Sequence, residues 1–337
     1  MNAALRCRVA LTLAALPALA ACVLPLAQAG EKYPRVNVAR TWAVDPRWPQ
    51  RPPGLVWGHV PGIAVEARDH VYVFTRAEPP VQVYDAAGKY LRGWGTGHIK
   101  NAHHIKIDGG GHVWITDIGN HVVEKYTPEG KLLLSLGTRG KAGRDRTHFN
   151  KPTDVAVTAD GDLYVSDGYG NARVVHFTKD GQYVNEWGEL GSGPGQFSIP
   201  HAIAADSKGR VYVADRNNAR IQVFDRKGKL LDIWGNLIVP WGFCMTKDDH
   251  LWVCGSSPMQ WRKEDSALGC PPKDQIFMKF SPQGKLEQLF TLPKGLDGLE
   301  RPGEVNWVHA IAVDSRGNLY LGDIIGKRAQ KFVLKTP

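Results

Sequence analysis

Cysteine is scarce in this chain of 337 residues. There are five cysteines, and none forms a Cys-x-x-Cys pair, which argues against a zinc site built on cysteine. Cys7 and Cys22 lie in the N-terminal segment, and Cys270 has no obvious partner. Cys244 and Cys254 flank a short turn and could face each other across a hairpin, as a disulfide in an oxidising compartment.

Three further absences narrow the fold and function. The only long apolar run, Val9–Ala21, is short for a membrane span and is closely followed by Pro25. No long segment has a 3.6-residue period, which argues against a coiled coil or an α/β fold. The 42 Lys and Arg residues outnumber the 33 acidic residues but are scattered through turns, so nucleic-acid binding is not expected. The positive surplus suits an anionic small ligand or a simple solvated surface.

The N-terminus has the features of an export signal. Arg6 and Arg8 precede the apolar run, and small residues follow it. Ala27-Gln28-Ala29 fits a cleavage site before Gly30, whereas Leu19-Ala20-Ala21-Cys22 resembles a bacterial lipobox that would lipidate Cys22. The sequence thus predicts a signal peptide over 1–29, or 1–21 for a lipoprotein, and a periplasmic or secreted domain over 30–337. Any membrane attachment would be through Cys22.

The remaining chain is built from an internal repeat. In its clearest copy, Pro200–Gly235, short β-rich runs alternate with turns, which is typical of a four-stranded antiparallel meander. The same frame recurs at Gly62–Gly95, Ala102–Gly137, Pro152–Gly188, Pro240–Phe290 and Val308–Lys335. Four strands in about 40 residues predict an all-β fold, a six-bladed β-propeller, and the pattern resembles NHL repeats.

The last copy ends after its third strand, which would leave an unpaired sheet edge. Arg35–Val44 can supply the fourth strand, with Trp42 at the position of Trp94, Trp187 or Trp234 in other copies. The fifth copy carries an insertion, Ser256–Gln275, that starts on the same face as the first-strand entrances and could form a substrate wall or a solvated loop.

Histidine recurs at one position in alternate copies. The residue at the entrance of each first strand, which should lie at the mouth of the central channel, is Pro61, His103, Thr153, His201, Trp241 or His309. Three converging imidazoles with one position left open are the ligand set of a catalytic metal, usually zinc. We therefore predict that His103, His201 and His309 bind a metal. His104 is expected to point to the opposite face because side chains alternate along a strand.

The end of each second strand returns to the same mouth. Arg76, Arg216 and Tyr169 lie there, so two guanidinium groups and a phenol should surround the metal. Arginine binds planar carboxylates with paired donors, and a phenolate near a metal can accept a proton. The recurring carboxylates Asp117, Asp167, Asp215 and Asp323 instead suit backbone caps.

Several stretches resemble one family, the peptidyl-α-hydroxyglycine α-amidating lyases. They are His148–Val157, Tyr164–Arg173, Gly195-Gln196-Phe197 with Pro200-His201, and Val213–Gln222. The resemblance covers about Gly62–Phe332 and implies a six-bladed propeller with zinc on His103, His201 and His309. It implies that Tyr169 is the catalytic base, that Arg76 and Arg216 bind substrate, and that an α-hydroxyglycine is cleaved to an amide and glyoxylate.

The chain departs from that family in specific ways. The family has an aspartate, tied to a structural calcium, directly after its third histidine; here that residue is Ala310, which puts calcium binding in doubt. Val308 replaces a proline, and two disulfides are missing, with Asn150 and Gly170 at one pair and Tyr212 and Val223 at the other. The chain contains no monooxygenase domain to make the hydroxyglycine, so the substrate could be another carboxylate-bearing carbinolamide.

Two other functions remain open at this stage. A non-catalytic NHL propeller would bind a peptide or protein partner on its face. A metal-dependent hydrolase such as a lactonase is the less favoured choice, because such propellers hold calcium with carboxylate and Asn ligands.

Overall fold

The short β-rich runs of the sequence fold into six four-stranded antiparallel sheets. The computed structural model describes residues 41–258 and 274–335, all within one compact unit, Ala39–Pro337. The predicted signal segment, Cys22 and most of the fifth-copy insertion lie outside the described residues. Within these ranges no helix is long and apolar enough to cross a membrane.

Each sheet is one blade, and in five of the six blades the strands follow one another in chain order from the channel outward. The first three blades comprise β2 Gly62–Val65, β3 Val71–Phe74, β4 Val81–Tyr84 and β5 Tyr90–Trp94; β6 Ala102–Ile107, β7 Val113–Asp117, β8 Val122–Tyr126 and β9 Leu132–Leu136; and β10 Asp154–Val157, β11 Leu163–Asp167, β12 Arg173–Phe177 and β13 Tyr183–Trp187.

The remaining blades repeat the order. They comprise β14 Pro200–Ala205, β15 Val211–Asp215, β16 Arg220–Phe224 and β17 Leu230–Trp234; β18 Val239–Met245, β19 Leu251–Ser256, β20 Gln275–Phe280 and β21 Leu286–Leu292; and β22 Val308–Val313, β23 Leu319–Asp323 and β24 Arg328–Lys335, joined by β1 Thr41–Val44. The predicted six-bladed propeller is confirmed.

The sixth blade is closed by the start of the described chain, as predicted. β1 pairs with β24 in antiparallel register, with Val44 opposite Phe332. The proposed equivalence of Trp42 was wrong: Trp42 pairs with Leu334, beyond Phe332, whereas Trp234 pairs near the start of its neighbour β16. The closing strand is shifted along the blade, so the Trp42 ring stacks on Phe290 of the preceding blade instead.

The core lies between the faces of neighbouring blades. Between blades 1 and 2, for example, Tyr72, Trp94, Ile105 and Tyr126 belong to one buried cluster. Such face-to-face burial of aromatic and β-branched residues stabilises the ring of blades and leaves the inner strands β2, β6, β10, β14, β18 and β22 around the channel.

The suggested Cys244–Cys254 disulfide is not formed. Both thiols are free, because the register of β18 and β19 pairs Cys244 with Trp252 and Cys254 with Gly242. At the two disulfide positions that the family resemblance implied, the replacements are still neighbours: the Gly170 N–H donates to the Asn150 carbonyl over 2.9 Å, and Tyr212 pairs with Val223.

Candidate metal centre

Each of the three histidines lies in a β-bulge at the entrance of an inner strand. In β6, the residues between Ala102 and Ile105 oppose a single residue of β7. The same irregularity surrounds His201 in β14 and His309 in β22. A bulge redirects side chains out of the normal alternation, and here it accompanies three imidazoles at the channel mouth.

The imidazoles are oriented by backbone carbonyls of the following blades. His103 Nδ1 lies 2.5 Å from the Thr153 oxygen, His201 Nδ1 lies 2.6 Å from the Trp241 oxygen, and His309 Nδ1 lies 2.7 Å from the Pro61 oxygen. A carbonyl can only accept, so each Nδ1 carries the hydrogen and each Nε2 carries a lone pair. Thr153, Trp241 and Pro61 occupy the three repeat positions that lack histidine, so every histidine is held by its non-histidine neighbour.

The lone pairs converge. The ligand atoms of His103, His201 and His309 all lie within 4.8 Å of one another, and His201 Nε2 is 3.3 Å from His309 Nε2. Burial, followed by the charges of neighbouring groups, holds the pKa of all three imidazoles well below the ordinary value. They are therefore neutral at neutral pH, which is the form that binds a metal, and the carbonyl contacts on Nδ1 are the usual outer support of metal-bound histidine. The donor set fits a metal ion.

Tyr169 brings a phenol to the same point. Its hydroxyl oxygen lies 3.0 Å from His103 Nε2 and 3.1 Å from His201 Nε2. The preceding Gly168 permits this approach, because a Cβ there would collide with the Pro200 carbonyl oxygen. Burial raises the pKa of Tyr169, and the charges of Arg216 and Arg76 oppose that shift.

Two arginines act on the Tyr169 phenol, one of them buried and the other partly buried. Arg216 is buried, hydrogen-bonds Tyr169, and places its guanidinium carbon 4.3 Å from the centre of the Trp241 ring. This stacking is a favourable cation–π contact. Arg76 is only partly buried; its Nε donates to the Ala102 carbonyl over 3.1 Å, and its charge acts on Tyr169. All six residues predicted for the site are thus assembled at one channel mouth.

The expectation for His104 was wrong. Its ring centroid lies 4.8 Å from those of both His103 and His309, and its Nδ1 is 3.0 Å from the Thr153 carbonyl oxygen. The bulge in β6 cancels the strand alternation, so two consecutive histidines face the same cluster. Burial, reinforced by the nearby Lys106 ammonium, lowers the pKa of His104 to about 3.

The repeated aspartates are structural, as predicted. Asp117, Asp215 and Asp323 accept hydrogen bonds from backbone N–H groups of Asn101, Ser198 and Trp307, respectively. Asp167 does the same for Asn150. Asp215 also pairs with Arg220 at 2.7 Å, so its carboxylate anchors the loop that leads into β14, the inner strand of its own blade.

Deeper along the inner strands, the channel contains an ion pair that the sequence did not suggest. Lys106 Nζ lies 3.1 Å from Asp154 Oδ2 and donates to the Phe243 carbonyl over 2.9 Å. Asp154 is fully buried, and its Oδ2 also accepts the Ile203 N–H at 3.1 Å. These contacts connect blades 2, 3, 4 and 5.

Comparisons with known proteins agree with the repeat and the fold. The NHL repeat model matches residues 149–177 and 197–224. Human NHL repeat-containing protein 3 is 31% identical over 312 residues, which cover 87% of this chain and 84% of that protein. The chain belongs to the NHL repeat family.

Two further relatives match part of the chain, and one of them carries a lyase name. Rat peptidylglycine alpha-amidating monooxygenase is 36% identical over 203 residues, covering 50% of this chain but 21% of that protein. A probable peptidyl-alpha-hydroxyglycine alpha-amidating lyase of Caenorhabditis elegans is 31% identical over 195 residues, covering 50% of this chain and 55% of that protein. The chain spans only part of the length of these two relatives.

Solved structures show that the architecture is shared more widely. A streptogramin B lyase superposes with a TM-score of 0.56 at 14% identity, over 88% of this chain and 98% of that one. A Xanthomonas campestris gluconolactonase gives 0.57 at 15% identity, over 88% of this NHL chain and all of that one. At such identities the likeness extends to the fold alone.

Proposed function

We propose that this protein is an exported zinc-dependent lyase that cleaves an α-hydroxyglycine-type carbinolamide to an amide and glyoxylate. The observation that carries the proposal is the convergence of three Nε2 lone pairs at a phenol flanked by two arginines. The partial relative named as a probable amidating lyase supports it, as does the resemblance of the stretches around Tyr169 and His201 to that family.

The metal would be held by His103, His201 and His309, whose three nitrogen ligands suit zinc. When bound, zinc acts as a Lewis acid that polarises an oxygen and lowers the pKa of a hydroxyl group. The carbonyls of Thr153, Trp241 and Pro61 keep the three imidazoles in the required tautomer before any metal binds.

The chain's own groups account for recognition and proton movement. Arg216 and Arg76 provide charge and paired donors for the substrate carboxylate. Tyr169 would act as the base in its phenolate form, whose negative charge is favoured by the nearby Arg216 and Arg76. In that form it would accept the proton of the α-hydroxyl group as that oxygen becomes the aldehyde oxygen of glyoxylate. The carbon–nitrogen bond breaks, its electron pair stays on nitrogen, and the departing amide nitrogen gains a proton. The overall reaction therefore needs no oxidant, reductant or added water.

A Tyr169→Phe variant tests the assignment. General-base catalysis contributes about 10²–10⁴-fold, so glyoxylate release from α-hydroxyhippurate should fall by at least about 100-fold while the zinc content stays unchanged. Tyr183→Phe, in the outer strand β13, is the matched control and should retain wild-type activity. A zinc-loaded wild-type chain that releases no glyoxylate would exclude the lyase.

A non-catalytic propeller is the second candidate. It is favoured by the name of a relative that matches 87% of the chain, human NHL repeat-containing protein 3, because that name states no activity. In that case a peptide or protein partner would bind the propeller face, and His201→Ala would leave binding intact.

A further inference from the structure

A cleft of about 550 Å³ opens beside Arg76. This volume is in the usual range of small-molecule sites. The cleft is formed by segments of three blades: residues 58–59, 75–78 and 80 of blade 1, residues 99–102 at the entrance of blade 2, and Lys327 in a turn of blade 6. We name it the Arg76 cleft.

The cleft lies next to the candidate metal centre, and two of its lining residues connect the two sites. Ala102 lines the cleft and directly precedes His103. Arg76 lines it too, while its charge acts on both His103 and Tyr169. A substrate whose α-carbon is held at Tyr169 therefore has space for its remaining part beside Arg76.

The lining of the cleft is predominantly positive. Arg76, Lys100 and Lys327 are cations, and Glu78 is the one carboxylate among the lining residues. The Glu78 Oε1 atom accepts a hydrogen bond from the Gly97 N–H at 3.4 Å, so part of the hydrogen-bonding capacity of this carboxylate is used within the protein. Lys100 and Lys327 are exposed and able to move toward a ligand.

His59 lies in the same positively charged part of the cleft. Its Nδ1 lies 3.4 Å from an Arg76 nitrogen. Burial lowers the pKa of His59, and the positive charges of Arg76 and Lys327 lower it further. A neutral His59 leaves the three cations as the charges that a ligand meets.

We propose that the Arg76 cleft binds the acyl part of the substrate and selects acyl groups that carry a second carboxylate. This inference rests on the proposed lyase function and specifies its substrate class: a carbinolamide with one carboxylate at the cleaved glycine carbon and another on the acyl side. Lys100 and Lys327 are the specificity-determining residues, and neither takes part in the chemical step.

The test compares α-hydroxyhippurate with its 4-carboxybenzoyl analogue. The wild-type enzyme should show a kcat/KM about five- to tenfold higher for the carboxylated substrate, mainly through KM, and the preference should shrink in high salt because exposed charges are screened. The double variant Lys100→Ala/Lys327→Ala should lose the preference, because its kcat/KM falls more for the carboxylated substrate than for α-hydroxyhippurate. Lys227→Ala/Lys247→Ala removes two exposed lysines from turns at the opposite ends of the strands and should retain the preference.

Binding of uncleavable analogues separates this inference from the lyase proposal. Hippurate and 4-carboxyhippurate lack the α-hydroxyl group, and calorimetry measures their affinities without turnover. Tighter binding of 4-carboxyhippurate to wild type, lost in Lys100→Ala/Lys327→Ala, supports the cleft even if no glyoxylate is ever released. Equal affinity for the two analogues in wild type, or a preference that survives in the double variant, overturns the inference.

Discussion

The mouth and the interior of the central channel bury polar groups in opposite ways. At the mouth, three neutral imidazoles present lone pairs to one another, with Tyr169 as their hydrogen-bonding neighbour. Deeper in the channel, the Asp154 carboxylate is neutralised by a cation from the same chain, the Lys106 ammonium.

The two regions lie on the same inner strands, but the interior ion pair serves the structure whereas the histidines at the mouth form the candidate site. A buried charge is costly unless it is paired and hydrogen-bonded, and the Lys106–Asp154 pair satisfies both conditions while connecting four blades. Each histidine is held on Nδ1 by a backbone carbonyl, and the Tyr169 hydroxyl, with one hydrogen to donate, lies beside the Nε2 atoms of His103 and His201. Their Nε2 atoms converge as a donor set that is compatible with a metal ion.

The largest effect should come from removing one histidine of the mouth. His201→Ala leaves two of three ligands, so the chain should lose stoichiometric zinc and nearly all glyoxylate release. Elemental analysis after dialysis and the glyoxylate assay measure both. His112→Ala, outside the cluster, and Lys106→Met, in the interior, should retain zinc. If His201→Ala bound as much zinc per chain as wild type, the mouth would not be the zinc-binding region.

Breaking the interior pair should instead reduce stability. Lys106→Met leaves Asp154 buried without its cation, which typically costs about 3–5 kcal/mol. The double variant Lys106→Met/Asp154→Leu should recover much of that loss because no uncompensated charge remains. Urea unfolding of the zinc-loaded proteins measures the free energies. If the losses in Lys106→Met and in Asp154→Leu simply added up in the double variant, the pair would not act as a unit.

The buried Asp154 in the channel interior also makes the stability of the fold depend on pH. Burial raises the pKa of Asp154 from 3.8 to about 6, with Lys106 opposing the shift. The folded state therefore holds this proton more tightly than the unfolded state, so the contribution to stability is full below pH 4 and is lost as pH rises to about 6. A shift of this size corresponds to about 3 kcal/mol.

Comparison with Asp154→Asn isolates this contribution. The histidines at the mouth have lowered pKa values and act in the opposite sense, because acidification below their ordinary pKa of 6.5 favours the unfolded state. They are present in both proteins, so their effect cancels in the difference. We compare the free energies of unfolding of wild type and Asp154→Asn in the presence of a chelator. The wild-type value minus the Asp154→Asn value should decrease as the pH rises from 4 to 6.5. A flat difference would show that Asp154 does not titrate in this range.

The smallest predicted effect concerns His104, which lies between the two regions. It contacts His103 and shares the Thr153 carbonyl with it, so His104→Ala should weaken zinc binding by about tenfold, the lower end of the usual range for outer-sphere partners. Competition with a chromophoric chelator measures the affinity. Unchanged affinity would assign His104 to packing alone.

Much of the fold could be predicted because the turns recur in every blade and mark the strands. The three histidines, Tyr169 and the arginines were predictable because equivalent repeat positions meet at the channel mouth. His104 was not, since a bulge breaks the alternation on which its exclusion depended. Nor was Lys106–Asp154, because its contacts join residues from four blades, and no repeat position records such pairing.

Zinc titration of the metal-stripped chain, followed by X-ray absorption at the zinc edge, tests the central claim most directly. The account predicts one tightly bound zinc per chain with three imidazole nitrogens at about 2.0–2.1 Å, reduced to no stoichiometric binding in His201→Ala. A wild-type chain that binds no stoichiometric zinc, or binds it without imidazole ligands, would contradict the account.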